Sequence, residues 1–135
     1  MKYRKLFVLA SALTLFGFAA NAGEFKITFD WGNLKKCTSG KPNIVSNPIF
    51  QLENVPNGTE WIYFKMVDKN VPKYNHGGGW VEYNGQPQIN PGEFKYKSPC
   101  PPDGKHKYEW TATAKKKKSN FGGTIGKAKS SQMYP

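Results

Sequence analysis

Acidic residues are scarce in this 135-residue chain: nine Asp and Glu stand against 20 Lys and Arg. No motif pairs two of those acids for general acid–base work, and the surplus of cations suits an anionic partner. Cysteine is limited to Cys37 and Cys100, and histidine to His76 and His106. These four have the ligand types of a zinc site, but their spacing fits no usual zinc pattern, and a Cys100 nucleophile with His106 as base has no better support. Gly77-Gly78-Gly79 is followed by neither the Lys-Ser/Thr of a phosphate-cradling loop nor a helix start, and reads as a hinge or tight bend. Helical periodicity is missing from every window longer than about ten residues. The chain is therefore read as a mostly β protein with few or no helices, without metal or cofactor and not an enzyme.

There is one long hydrophobic run, Leu6 to Ala20. It follows Lys2, Arg4 and Lys5 and precedes Ala20-Asn21-Ala22, the small-x-small form that signal peptidase accepts. Residues 1–22 are read as a cleavable secretory leader, and residues 23–135 as a single β domain that is periplasmic or secreted. A membrane anchor is the competing reading, but the run is shorter than the roughly 20 apolar residues a spanning helix needs. Cleavage would remove three of the cations and none of the acids, so the mature chain stays basic. Outside the cytoplasm an even pair of cysteines favours one disulfide, Cys37 to Cys100. Its loop of about 63 residues would contribute on the order of 4 kcal/mol through the entropy of the unfolded chain; two unpaired buried thiols are the alternative.

The apolar pattern then marks the strands. Phe25, Ile27 and Phe29 alternate with polar residues, a period of two that opens the domain with a half-buried strand. Cys37 to Pro48, rich in Gly, Pro, Asn and Ser, reads as a loop, and Ile49 to Leu52 as a short strand. Val55-Pro56-Asn57-Gly58-Thr59 is a turn. Trp61 to Val67, apolar and aromatic with Lys65 as its one charge, is the best candidate for a central strand. Trp80 to Tyr83 is a short strand, Gly85 to Pro91 a loop, and Tyr108 to Ala114 a second good strand. The three prolines around Cys100 forbid a helix between Tyr96 and Gly104. Lys115 to Lys118 reads first as a solvated turn; attraction to an anionic membrane surface or an acidic protein partner is the functional alternative, with nucleic acid the less favoured partner.

Four of these blocks resemble the phosphatidylethanolamine-binding proteins, also called Raf-kinase-inhibitor-like proteins, in their exported bacterial branch. Asn47-Pro48-Ile49-Phe50 with Val55-Pro56-Asn57-Gly58-Thr59 is similar to the family's segment before its central strand, and Asp68-Lys69-Asn70-Val71-Pro72 to its D-x-D-x-P loop. Trp80-Val81-Glu82-Tyr83-Asn84 is similar to the strand after its His-Trp pair. Ser98-Pro99-Cys100-Pro101-Pro102-Asp103-Gly104-Lys105-His106-Lys107-Tyr108 resembles GPCPP-x-G-x-H-R-Y, the most specific of the four. The blocks stand in family order from Cys37 to Ala114, in a divergent and shortened form.

The resemblance implies an antiparallel β fold with a small pocket for a phosphate-bearing small molecule, lipid headgroup or other anion. It assigns Asp68, Pro72, Pro99, Pro101, His106 and Tyr108 to that pocket. Imidazole and phenol donors on a proline-rigidified rim suit phosphate oxygens on physical grounds as well. Three positions depart from the pattern: Asn70 replaces a second acid, Gly79 the pocket histidine, and Ser98 a glycine. His76 is the candidate to replace the lost ring, its alternative being an exposed loop histidine. The expected function is that of an exported anion-binding protein; the alternative is a secreted protein-interaction or inhibitor module in which the pocket is vestigial.

Overall fold

The computed structural model describes residues 23–135, so the leader reading falls outside the described residues. Nine strands and no helix are found among them: β1 Lys26–Asp30, β2 Ile44–Ser46, β3 Ile49–Glu53, β4 Trp61–Asp68, β5 Gly78–Glu82, β6 Gln88–Ile89, β7 Lys95–Lys97, β8 His106–Lys115 and β9 Thr124–Tyr134. They form a four-stranded sheet in the order β5-β4-β8-β9, a three-stranded sheet β1-β3-β6, and the pair β2-β7. Every pairing is antiparallel.

The Trp61 to Val67 run is indeed a central strand, held between β5 and β8. Its period of two turns Ile62, Phe64, Met66 and Asp68 inward, and β8 answers with Tyr108, Trp110, Ala112 and Ala114 in register. Phe25, Ile27 and Phe29 of the first strand segment bury against this layer together with Phe50 and Leu52 of β3. Phe50 joins the two sheets, its ring stacked on Phe64 at 4.3 Å and edge-on to Trp110 at 5.2 Å. Aromatic pairs of this kind contribute about 0.5–1.5 kcal/mol beyond the area they bury.

Two segments read as loops carry short strands. β2 lies inside Cys37–Pro48 and pairs with β7, and β6 lies inside Gly85–Pro91 and pairs with β3. Three- and two-residue strands leave too few alternating side chains for a pattern to register. Asn47 locks this region: buried, its Oδ1 accepts from the N–H groups of Gly92, Glu93 and Phe94 at 3.1, 3.0 and 3.1 Å, and its Nδ2 donates to the carbonyls of Pro48 and Asn90, both at 2.9 Å. A residue of the block that resembles the family's segment before its central strand thus serves as a backbone staple.

β9, the longest strand, has almost no apolar signature. Its inward positions include Ser130 and Gln132 opposite Trp110 and Tyr108. Gln132 is tolerated inside because its Nε2 donates to the carbonyl of Phe29, tying β9 to β1.

The glycine run is not a hinge as a whole. Gly77, with φ +82°, makes the bend, whereas Gly78 and Gly79 are paired with Lys65 and Phe64 inside β5. A Cβ at Gly79 would strike the Phe94 side chain, so the space a pocket histidine would need at this position is filled by Phe94. Lys115 also departs from its reading as part of a solvated turn. It is buried at the end of β8, where its Nζ donates to the Gly122 carbonyl at 2.5 Å and to Thr124 Oγ1 at 3.0 Å, while Lys116, Lys117 and Lys118 are exposed.

Candidate functional site

At one end of the four-stranded sheet the apolar inner face gives way to polar side chains. Asp68 is the last inward residue of β4 and stands opposite Tyr108 on β8. His106 precedes Tyr108 by two positions on the same strand and so shares its face. Antiparallel register alone brings together a carboxylate, a phenol and an imidazole that lie 38 and 40 residues apart in sequence or are next-but-one neighbours.

Asp68 grips in two directions. One carboxylate oxygen accepts from the backbone N–H groups of Asn70 and Val71 at 2.8 and 3.2 Å, and the other accepts from His106 Nδ1 at 2.6 Å. Burial opposes its charge, but the hydrogen bonds from His106, Asn70 and Val71 outweigh that and hold its pKa below the usual carboxylate value. Burial and the neighbouring Asp68 carboxylate push the Tyr108 phenol up, so it stays protonated and can donate. Asn70, where the family pattern has a second acid, turns its side chain away to accept from Lys107 N–H at 2.9 Å.

His76 arrives from the loop between β4 and β5 and is buried, not an exposed loop residue. Its Nδ1 donates to the Lys97 carbonyl at 2.8 Å, which leaves Nε2 as the free ring atom, and its ring stands edge-on to Tyr108 at 5.5 Å and to Tyr74 at 4.6 Å. Desolvation lowers its pKa below 6.5, outweighing the carbonyl contact that raises it. A base with a depressed folded-state pKa binds fewer protons than its unfolded counterpart, so the stability it contributes is present above about pH 6.5 and is lost as pH falls through the folded value. Unfolding free energy measured from pH 8 to pH 5 should therefore decline more steeply for the native protein than for His76→Gln; parallel curves would sink this assignment.

These side chains line a cavity of about 210 Å³ that opens to solvent. Asp68, His76, His106, Tyr108 and Pro101 all reach it; Pro72 is exposed and Pro99 fully buried, and neither lines it. The wall includes residues the sequence reading did not assign to the pocket: Gly40, Pro42, Val71, Tyr74, Cys100 and Pro102. Val71 and Tyr74 sit in the loop that carries His76 and are among the exposed large apolar side chains, a placement no local pattern encodes. Gly40 and Pro42 reach the rim because Cys37 is disulfide-bonded to Cys100, with Cα atoms 4.6 Å apart, and Gly40 N–H donates to the Cys100 carbonyl at 3.1 Å. Ser98 does not enter the cavity; its Oγ accepts from Asn43 N–H at 3.0 Å and pins the same loop. No group of three His, Cys, Asp or Glu side chains arranged to hold a metal occurs among the described residues.

An all-antiparallel β domain with a small, mostly apolar cavity carrying a few polar groups at the end of its main sheet defines the class of this protein. No protein-family model matches the chain, and no curated protein matches its sequence. Solved structures do match. E. coli YbcL, described as a member of the mammalian phosphatidylethanolamine-binding protein family, superposes with a TM-score of 0.59 at 14% identity, covering 83% of this chain and 98% of its own. The phosphatidylethanolamine-binding protein homolog CT736 from Chlamydia trachomatis gives 0.56 at 15% identity, covering 83% of this chain and 97% of its own. The described residues have the phosphatidylethanolamine-binding protein fold, as the motif resemblance implied.

Proposed function

We infer that this is an exported, non-enzymatic binding protein whose end cavity takes a small phosphate-bearing ligand or a lipid headgroup. The observation that carries the reading is the Asp68–His106 pair, 2.6 Å apart, set with Tyr108 and His76 in a small open cavity with Pro42, Pro101 and Pro102 in its wall. Because His106 Nδ1 donates to Asp68, Nε2 is the atom left for a ligand. It donates only when the ring carries its second proton. In that form an anion at Nε2 and the Asp68 carboxylate at Nδ1 would flank the ring in a row of alternating charges. Prolines in the wall keep the site rigid and contribute no competing N–H. No Ser or Thr is in the cavity wall, and Cys100 is held in the disulfide. The basic leader and cleavage motif of residues 1–22 support export.

Calorimetry with inorganic phosphate, phosphoethanolamine and acetate tests the reading. Phosphate-bearing ligands should bind in preference to acetate, and His106→Ala or Tyr108→Phe should each weaken binding by about tenfold to a hundredfold, the range for a hydrogen bond to a charged group, with the fold retained. If none of the three ligands binds at millimolar concentration, the protein-interaction reading takes its place.

A further inference from the structure

The end of the molecule opposite the cavity carries a different kind of surface. Strands β8 and β9 are joined by a tip of residues 116–123, in which Lys116, Lys117 and Lys118 are exposed and Phe121 is 87% exposed, the most of any large apolar side chain described. Single exposed apolar residues are common and need no explanation. This one is held out by a built scaffold. Ser119 Oγ accepts from Phe121 N–H at 3.1 Å and donates to the Phe121 carbonyl at 3.0 Å, and Lys116 N–H donates to the Gly123 carbonyl at 2.9 Å. Gly122 and Gly123 adopt the left-handed conformation, with φ +66° and +70°, and the buried Lys115 ammonium clasps the Gly122 carbonyl from below.

The tip segment itself carries charge of one sign. From Trp110 to the last residue the chain has six lysines and no acid. Glu60 and Glu82 lie nearest by backbone pairing, beside Lys115 and Trp61, and neither forms an ion pair with the tip lysines. Lys118 instead lies over the Trp61 ring, 4.8 Å from its centre, which places a half-buried indole behind the cationic row.

We propose that the β8–β9 tip docks the protein on an anionic lipid bilayer, with Phe121 entering the boundary between headgroups and acyl chains and the three lysines remaining at the phosphate level. An apolar apex ahead of long cationic side chains is the order in which a bilayer presents its own layers in reverse. Trp61 beneath Lys118 suits the headgroup zone, where indoles concentrate. An oligonucleotide or an acidic protein would use the lysines but has no hydrocarbon layer to receive Phe121. The proposal does not rest on the cavity, since His106 and Lys115 lie at opposite ends of β8.

Co-sedimentation of the full mature chain with vesicles decides it. Vesicles of phosphatidylglycerol and phosphatidylcholine should bind the protein, and pure phosphatidylcholine vesicles should leave it in solution. The triple variant K116A/K117A/K118A should lose roughly a hundredfold in partition, at about fivefold per lysine. Phe121→Ser should lose roughly tenfold. His106→Ala should still sediment with the anionic vesicles, which separates this surface from headgroup capture in the cavity. Absence of binding to anionic vesicles, loss of it in His106→Ala, or wild-type partition of Phe121→Ser together with equally tight binding to a single-stranded oligonucleotide would each overturn the proposal. Circular dichroism of the exposed-site variants confirms that the sheet is intact.

Discussion

Replacing Cys37 and Cys100 together by serine should lower the free energy of unfolding by about 4 kcal/mol, the chain-entropy value for closing a loop of this length. The bond joins residues 63 apart and closes a loop that holds β2 to β7, so its removal frees the unfolded chain far more than a short-range bridge would. A second effect is expected in the folded state. Cys100 lines the cavity, and Gly40 and Pro42 reach it from the loop that follows Cys37. With the bridge gone that wall is held by hydrogen bonds alone: Gly40 N–H to the Cys100 carbonyl, Cys37 N–H to the Tyr134 hydroxyl and the two bonds between Ser98 and Asn43. Phosphate affinity should fall along with stability. Urea denaturation of the double variant, with calorimetry at a temperature where it is still folded, measures both; a loss under about 1 kcal/mol would remove the staple from this account.

The other large effect is expected at a glycine. A methyl group at Gly78 would fall inside the van der Waals envelope of the Phe64 carbonyl and press on the backbone of Lys65. That backbone belongs to β4, which is hydrogen-bonded to β5 on one side and to β8 on the other and cannot yield without breaking the centre of the sheet. The edge strand β5 must give way instead, and with it the loop bearing Val71, Tyr74 and His76. Gly78→Ala should cost at least about 3 kcal/mol, in the range of severe overpacking. Gly77→Ala makes a useful contrast: open space surrounds that position, and only its φ of +82° opposes a side chain, so a cost of about 1–2 kcal/mol is expected. Equal stabilities of the two variants would show that β5 yields freely. Amide exchange in β5 locates the damage.

What could be read from the sequence follows from how locally each feature is encoded. β1, β3, β4 and β8 announced themselves because their buried faces are built from large apolar or aromatic residues at a period of two. Asp68, His106 and Tyr108 were legible through motifs, and the β4–β8 register explains why those motifs need each other. β9 was silent because its inward face meets Trp110 with Ser130 and compensates Gln132 through a hydrogen bond to another sheet, a fact that exists only in three dimensions. Pro72 and Pro99 illustrate the converse: each lies within a matching motif, yet one faces solvent and the other is buried behind the wall. His76 could be named as a candidate from its nearness to Gly79, but its anchoring depends on the Lys97 carbonyl, 21 residues away. The filling of the Gly79 site by Phe94 has no local signature at all.

The length of β8 has a consequence for ionic strength. Its ten residues span roughly 30 Å between His106 at the cavity and Lys115 at the tip. The Debye length at physiological salt is about 8 Å, so the lysine-rich end is screened from a ligand in the cavity several times over. Raising salt from 50 to 300 mM should therefore strip the protein from anionic vesicles while leaving the short-range contacts of Asp68, His106 and Tyr108 with phosphate comparatively untouched. One strand thus separates two ends of the molecule that would answer to different variables, salt at the tip and pH at the cavity.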